Sequence, residues 1–286
     1  MAPQLGEGMG VLLERAATRV RAARAPRSES PAVVMGTGGS GTRAVQLLVD
    51  NSGYFMGTNL NRAGDALEIG RFLRRWTNRY LGSDWIREVI EGSRAARWPH
   101  PPGMEQDFRG AAETHRSAIP DSGAPWGWKA PRTILILPFA LEMYRGLKVI
   151  HVVRDGRDMA YSTNRNQLHA HGPHVLAPGE LEQRLPIRAI TFWSRVNVAA
   201  ARFCERRLAG GYLRIRYEDL CEQPAEEATR LLRFLNGPAS PERLRRLARR
   251  SIRPSASTGF WREYHPHEIE ALERAGGDAL REFGYR

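Results

Sequence analysis

Residues 36–43 read Gly36-Thr37-Gly38-Gly39-Ser40-Gly41-Thr42-Arg43, between a short apolar run at 31–36 and a helical segment at 44–49. Glycines let a backbone close on an oxyanion, a helix N-terminus aims unpaired N–H groups at it, and hydroxyls add donors. The segment is therefore an anion cradle, a P-loop-like turn after the first strand. A nucleoside-triphosphate loop would end in Gly-Lys-Ser/Thr, and no lysine stands here. Gly36, Gly38 and Gly41 also fit G-x-G-x-x-G, so an NAD(P)-dependent oxidoreductase is a rival. That class wants an acidic residue after the next strand, where this chain has Thr58 and Asn59. A glycine turn with no ligand is the plain alternative.

The second constellation begins where the apolar run 147–153 ends, in Arg154-Asp155-Gly156-Arg157-Asp158-Met159-Ala160-Tyr161-Ser162. An arginine at a strand's carboxyl end presents a fork to a phosphate, and a serine two turns along a following helix can add a hydroxyl. Open α/β sheets bind ligands at that edge. Read blandly, Arg154 and Asp158 are a surface ion pair and Ser162 an ordinary helix residue.

Taken together, Ser40-Gly41-Thr42-Arg43 and the Arg154 to Ser162 spacing resemble the sulfotransferases that use 3′-phosphoadenosine 5′-phosphosulfate (PAPS). Arg216-Tyr217-Glu218-Asp219-Leu220 is similar to a later element of that family, and Ser257-Thr258-Gly259-Phe260-Trp261-Arg262 is similar to its C-terminal loop. The resemblance runs over 31–286 and leans toward the bacterial and carbohydrate branches. It implies transfer of a sulfuryl group to an acceptor hydroxyl or amine by in-line displacement, leaving adenosine 3′,5′-bisphosphate (PAP). Gly38, Gly39, Ser40, Gly41, Thr42 and Arg43 would then hold the 5′-phosphosulfate. Arg154 and Ser162, with Gly259 and Arg262, would hold the 3′-phosphate, and Tyr217 would lie near the adenine.

Two departures matter. The small-molecule branch carries a lysine where Gly39 stands, and Arg43 could supply that charge from the first helical turn. That branch also uses a Lys-x-His base, and here Pro131 holds the histidine's place after Lys129. Lys129 matches the lysine, whose ammonium would stabilise the breaking bridge oxygen. The resemblance to branches using a glutamate after the second strand makes Glu68 and Asp65 the candidate bases. Their spacing equally suits a capping box. His115, His169, His171 and His174 are read in loops, where any one could act as a base and the plain reading is a solvated side chain. No scatter of His, Asp and Glu suggests a metal site.

The elements that must position these groups alternate. Strands are read at 31–36, 53–57, 147–153 and 213–217, and helices at 44–49, 65–81, 225–235 and 241–250, with an irregular proline-rich region at 98–127. The pattern predicts an α/β fold, a central mostly parallel sheet with helices on both faces. At 286 residues and 42% hydrophobic, the chain suits one large domain at 31–286 behind a loosely helical extension at 1–30. That extension also has the Arg and Ala content of a transit peptide.

Net charge is +12, and 41 of the 43 basic residues are arginine. A polyanionic nucleotide suffices as partner, and a basic nucleic-acid-binding protein is only weakly supported because the arginines are spread along the chain. Arg243 to Arg250 reads as the solvated face of a helix. Two cysteines cannot make a secreted disulfide framework, so a cytoplasmic setting is expected. No apolar run reaches the ~18 residues of a membrane span. Trp126 and Trp128 are read in a loop, as part of an acceptor pocket that could take a small molecule, a carbohydrate or a peptide.

Overall fold

Four short strands form the middle of the molecule, β1 (Ala32–Gly36), β2 (Gly127–Lys129), β3 (Lys148–Val153) and β4 (Tyr212–Arg216). The computed structural model describes residues 30–120 and 123–285, so all of the extension except Ser30 lies outside the described residues. All pairings are parallel, in the order β2-β1-β3-β4, with Val34 opposite Ile150 and Val152 opposite Ile215.

Alternate side chains of a strand point to opposite faces, and here each face is buried. Val33, Met35, Val149 and Val153 enter one core, with α2 (Leu67–Leu81), α3 (Met104–Arg116), α5 (Leu185–Arg207) and α9 (Pro266–Glu282). Ala32, Val34, Ile150, Val152 and Ile215 enter the other, with α1 (Thr42–Asn51), α6 (Tyr217–Glu222), α7 (Pro224–Leu235) and α8 (Pro241–Ser251). The expected layering is therefore observed. Its reason is visible in the interior of the central strands β1 and β3, which is apolar on both sides as parallel strands covered twice must be. His151 is the exception. It lies fully buried on β3 and hydrogen-bonds Tyr212 Oη through Nδ1 and Asn197 Oδ1 through Nε2, each at 2.9 Å. Burial lowers its pKa to about 4.

Several local expectations fail. The run 53–57 is no strand; only Phe55 bridges Trp126, its N–H donating to Pro125 at 2.8 Å, because a glycine at each end leaves too few paired residues. Region 98–127 is not irregular throughout: α3 fills its centre, with Met104, Phe108, Ala112 and His115 on the buried face. The prolines flank that helix rather than interrupt it. Trp126 and Trp128 do not stand exposed in a loop. Both are buried in an aromatic cluster with Phe108 and Tyr144, and Trp128 Nε1 donates to Thr133 Oγ1 at 3.2 Å.

Candidate active site

The cradle and the second constellation lie at the same edge of the sheet, since β1 and β3 are parallel neighbours and each runs straight into its motif. Loop 36–43 needs its glycines where the chain crowds. Gly39 has φ +97°, and a β-carbon there would stand 3.2 Å from Ser162 Oγ. Gly41, with φ +90°, caps α1, and a β-carbon there would come within 2.2 Å of the Tyr217 ring. Thus Ser162 and Tyr217, from two distant segments, press directly on the loop. Ser40 Oγ and Thr37 Oγ1 are buried without a hydrogen-bond partner, which fits a loop whose hydroxyls are meant for an anion. Thr42 is buried in the first turn of α1, and Arg43 beside it is exposed.

Arg154 is buried, and its Nη2 donates to Asp158 Oδ2 and to Ser257 Oγ, each at 3.1 Å. Its Cζ lies 5.2 Å from the Tyr217 ring centroid, and its Nε is buried and unpaired. The Arg154–Asp158 pair thus exists, but in the interior rather than on the surface. Asp158 Oδ2 also accepts the Gly259 N–H at 2.8 Å, and Oδ1 the Trp261 N–H at 3.4 Å, so one carboxylate ties loop 255–262 to Arg154. Arg262 stays outside this knot, its Cζ 4.6 Å from the Trp261 ring. Ser162 is not helical. The short helix α4 (Gly156–Ala160) ends before it, and Ser162 sits in the following turn, its Oγ accepting the Asn164 N–H at 3.1 Å.

The second cluster forms beside β2. Lys129 is buried, its Nζ donating to Ala63 O at 3.0 Å and ion-pairing with Asp65 Oδ1. Burial lowers its proton affinity below the ordinary lysine value; Asp65 opposes this, and the nearby Arg43 charge adds to it. The Asp65 loop is folded by Asn61, whose Oδ1 accepts the N–H groups of Ala63 and Asp65 at 2.8 and 2.9 Å. The capping-box expectation fails: α2 is capped by Ala66 with no side-chain bond, so Asp65 is free to face Lys129.

Glu68 is buried in the first turn of α2, where Asn59 Nδ2 donates to Oε1 and His115 Nδ1 lies 3.6 Å from Oε2. Burial raises its pKa, but the Asn59 bond and the His115 charge outweigh that, leaving it below the ordinary glutamate value. It lines an open groove of about 870 Å³ between α2 and α3.

Sequence reasoning missed several neighbours. Asn164 Oδ1 would be 3.1 Å from a β-carbon on Gly38, and Gln167 Nε2 donates to Gly36 O at 3.3 Å. Both follow Ser162 closely, and that proximity was the one available signal. His115, read as solvated, is buried on α3. His169 and His171 are helical as well, and His174 lies in a 3-10 turn. Only helical periodicity through 104–116 could have revealed His115. Among the described residues no group of His, Cys, Asp and Glu could hold a metal ion.

A parallel sheet covered on both faces, with a glycine loop meeting an arginine–serine segment at the edge where such sheets bind ligands, defines an α/β fold of the doubly covered class. A sequence model of the sulfotransferase family matches residues 31–241, and the chain belongs to that family. Similar folds include sulfotransferase STF9 from Mycobacterium avium, at 14% identity over 96% of this chain and 81% of that one, TM-score 0.55. The sulfotransferase domain of the Synechococcus PCC 7002 olefin synthase matches at 15% identity over 92% and 98%, TM-score 0.54. The sulfotransferase domain from the curacin biosynthetic pathway matches at 15% over 91% and 99%, TM-score 0.53. No curated protein matches the sequence significantly.

Proposed function

We propose that this sulfotransferase is PAPS-dependent and moves the sulfuryl group to an acceptor hydroxyl or amine by in-line displacement, with residues 31–286 acting as one unit. The observation that carries this reading is the convergence of Gly39, Ser162, Tyr217 and Arg154 at one sheet edge, around buried hydroxyls without partners. When bound, PAPS supplies the sulfuryl group and leaves as PAP. The backbone amides of 38–42, with Ser40, Thr42 and Arg43, would hold the 5′ end, as helix N-termini hold phosphates. Arg154, with its spare buried Nε, and Ser162 would hold the 3′-phosphate, loop 255–262 with Gly259 and Arg262 would close over it, and Tyr217 would lie beside the adenine. Lys129 is the point charge for the oxygen that gains charge as the S–O bond breaks. Its lowered proton affinity also makes it a ready proton donor there.

Of the two candidate bases, the geometry favours Glu68. Asp65 is engaged by Lys129, whereas Glu68 opens on a groove able to take an acceptor. No helix of the described residues is long and apolar enough to cross a membrane. Both cysteines are free, which supports a reducing, cytoplasmic setting. The test is a thermal-shift titration with PAP and with NAD(P). Stabilisation by PAP alone supports the reading, and stabilisation by the nicotinamide nucleotides alone refutes it.

A further inference from the structure

His115 is fully enclosed. Its ring packs against Phe55 at 5.8 Å and Trp126 at 6.2 Å between centroids, and its Nε2 lies 3.0 Å from Gly127 O. A carbonyl oxygen can only accept, so Nε2 carries a hydrogen in every protonation state of the ring. Nδ1 therefore does the titrating, and it faces Glu68 Oε2 at 3.6 Å. Two bare lone-pair groups facing one another out of water would repel, so the arrangement is satisfied when a proton sits between them. Asn59 fixes the other carboxylate oxygen, and strand β2 fixes the ring. Among the described residues, Arg71 lies 3.9 Å from Glu68 Oε1 and is mostly exposed, Arg75, Asp107, Arg109 and Glu113 line the same groove, and Arg116 lies over the far Trp126 ring at 5.0 Å.

We infer that His115 is a positioning and proton-holding partner of Glu68, so that the base is a buried Glu–His pair rather than a lone carboxylate. The inference rests on the reading of Glu68 as the base. In this scheme the proton of the acceptor hydroxyl passes to the carboxylate of Glu68, a residue that lines the groove. The Glu68–His115 pair then holds it, with Nδ1 as its resting place, until it passes to solvent. The pair accepts from its deprotonated form, His115 neutral and Glu68 ionised, in which the two facing lone pairs make it avid for a proton, and it ends the step one proton richer while no other protein group changes charge. The arrangement supplies by a different route the imidazole that the Lys-x-His position lacks in this chain, where Pro131 stands.

The deciding experiment is an NMR titration of ¹⁵N-histidine-labelled full-length protein, wild type against Glu68→Gln, which keeps shape and removes charge. His115 is expected to lose its Nδ1 proton at a lower pH in Glu68→Gln than in wild type, since the substitution removes the opposite charge that faces the ring. An identical midpoint in the two proteins overturns the pair. His115→Gln, whose Nε2 can still donate to Gly127 O, separates structure from chemistry in the pH profile of labelled PAPS hydrolysis. Loss of the pH-dependent limb at preserved PAP affinity supports proton holding, and an unchanged limb overturns it. If Glu68→Gln shifts the His115 titration yet leaves PAPS hydrolysis at the wild-type rate, Glu68 is not the base and the relay falls. PAP-induced stabilisation would then still stand or fall by itself as the test of the nucleotide reading.

Discussion

Around the proposed nucleotide end, contacts run mostly through backbone and buried charge. Gly39 and Gly41 admit Ser162 and Tyr217, and Asp158 gathers the Arg154 guanidinium with the Gly259 and Trp261 amides. Around the proposed acceptor end, Lys129 on a three-residue strand pairs with Asp65 in a loop, and Glu68 and His115 face each other from two helices. The first is built on two motifs that are each local in sequence, tied by one carboxylate to a distant loop, and would take the proposed nucleotide. The second depends on how distant segments pack, and it is the part a family can rebuild for a new acceptor.

Four measurements would break or sharpen that contrast. The largest effect is expected from Gly41→Val, because a side chain at φ +90° would run into the Tyr217 ring. PAP stabilisation should vanish while circular dichroism stays native, and a wild-type thermal shift would show that the loop does not hold the nucleotide. Next, Lys129→Ala should lower PAPS turnover ~10²–10³-fold, the usual cost of one charge-stabilising donor, with PAP affinity by calorimetry little changed. Near-normal turnover would remove Lys129 from the chemistry and blur the division between the two ends.

Arg154→Ala should show the reverse pattern. Hydrogen bonds to charged groups are worth about 1.5–3 kcal/mol, so PAP binding should weaken roughly ten- to a hundred-fold while turnover at saturating donor is largely kept. Unchanged calorimetric affinity would sink the assignment. The smallest effect concerns the scaffold beneath both ends. His151 and His171 are each held by burial at a pKa of about 4 in the folded chain, against about 6.5 unfolded. The unfolded state then binds more protons between those values, so stability is complete above pH 6.5 and declines as pH falls toward 4. The melting temperature should drop across that window, less so in His151→Asn, and a flat profile would contradict the buried neutral imidazoles.

What could be read from sequence follows the same division. The anion loop was legible because φ-positive glycines and hydroxyls at fixed offsets leave a local signature, and Arg154 was legible because an apolar strand pointed at it. Asp158 was seen as Arg154's partner four residues on, but its hold on Gly259 and Trp261, 101 and 103 residues away, was not. Asp65 and Glu68 looked like a cap because spacing alone cannot say whether a carboxylate faces its own helix or a lysine 64 residues away. Trp126 and Trp128 looked like a pocket because composition cannot distinguish an aromatic core from an aromatic surface. The helix at Met104–Arg116 was hidden by prolines and glycines on either side.

The Asp158 knot has a practical consequence for where this polypeptide can be cut. The match to the family's sequence model stops at residue 241, yet Ser257, Gly259 and Trp261 lie downstream, as do Leu272, Leu280 and Phe283 of the larger core. A fragment trimmed to the recognisable stretch would keep the glycine loop and Arg154. It would strand a buried carboxylate without its amide donors and bare the apolar flank of Trp193, which Phe283 otherwise covers edge-on. Expression boundaries drawn from homology alone should therefore yield insoluble material, whereas boundaries that retain the closing helix should not.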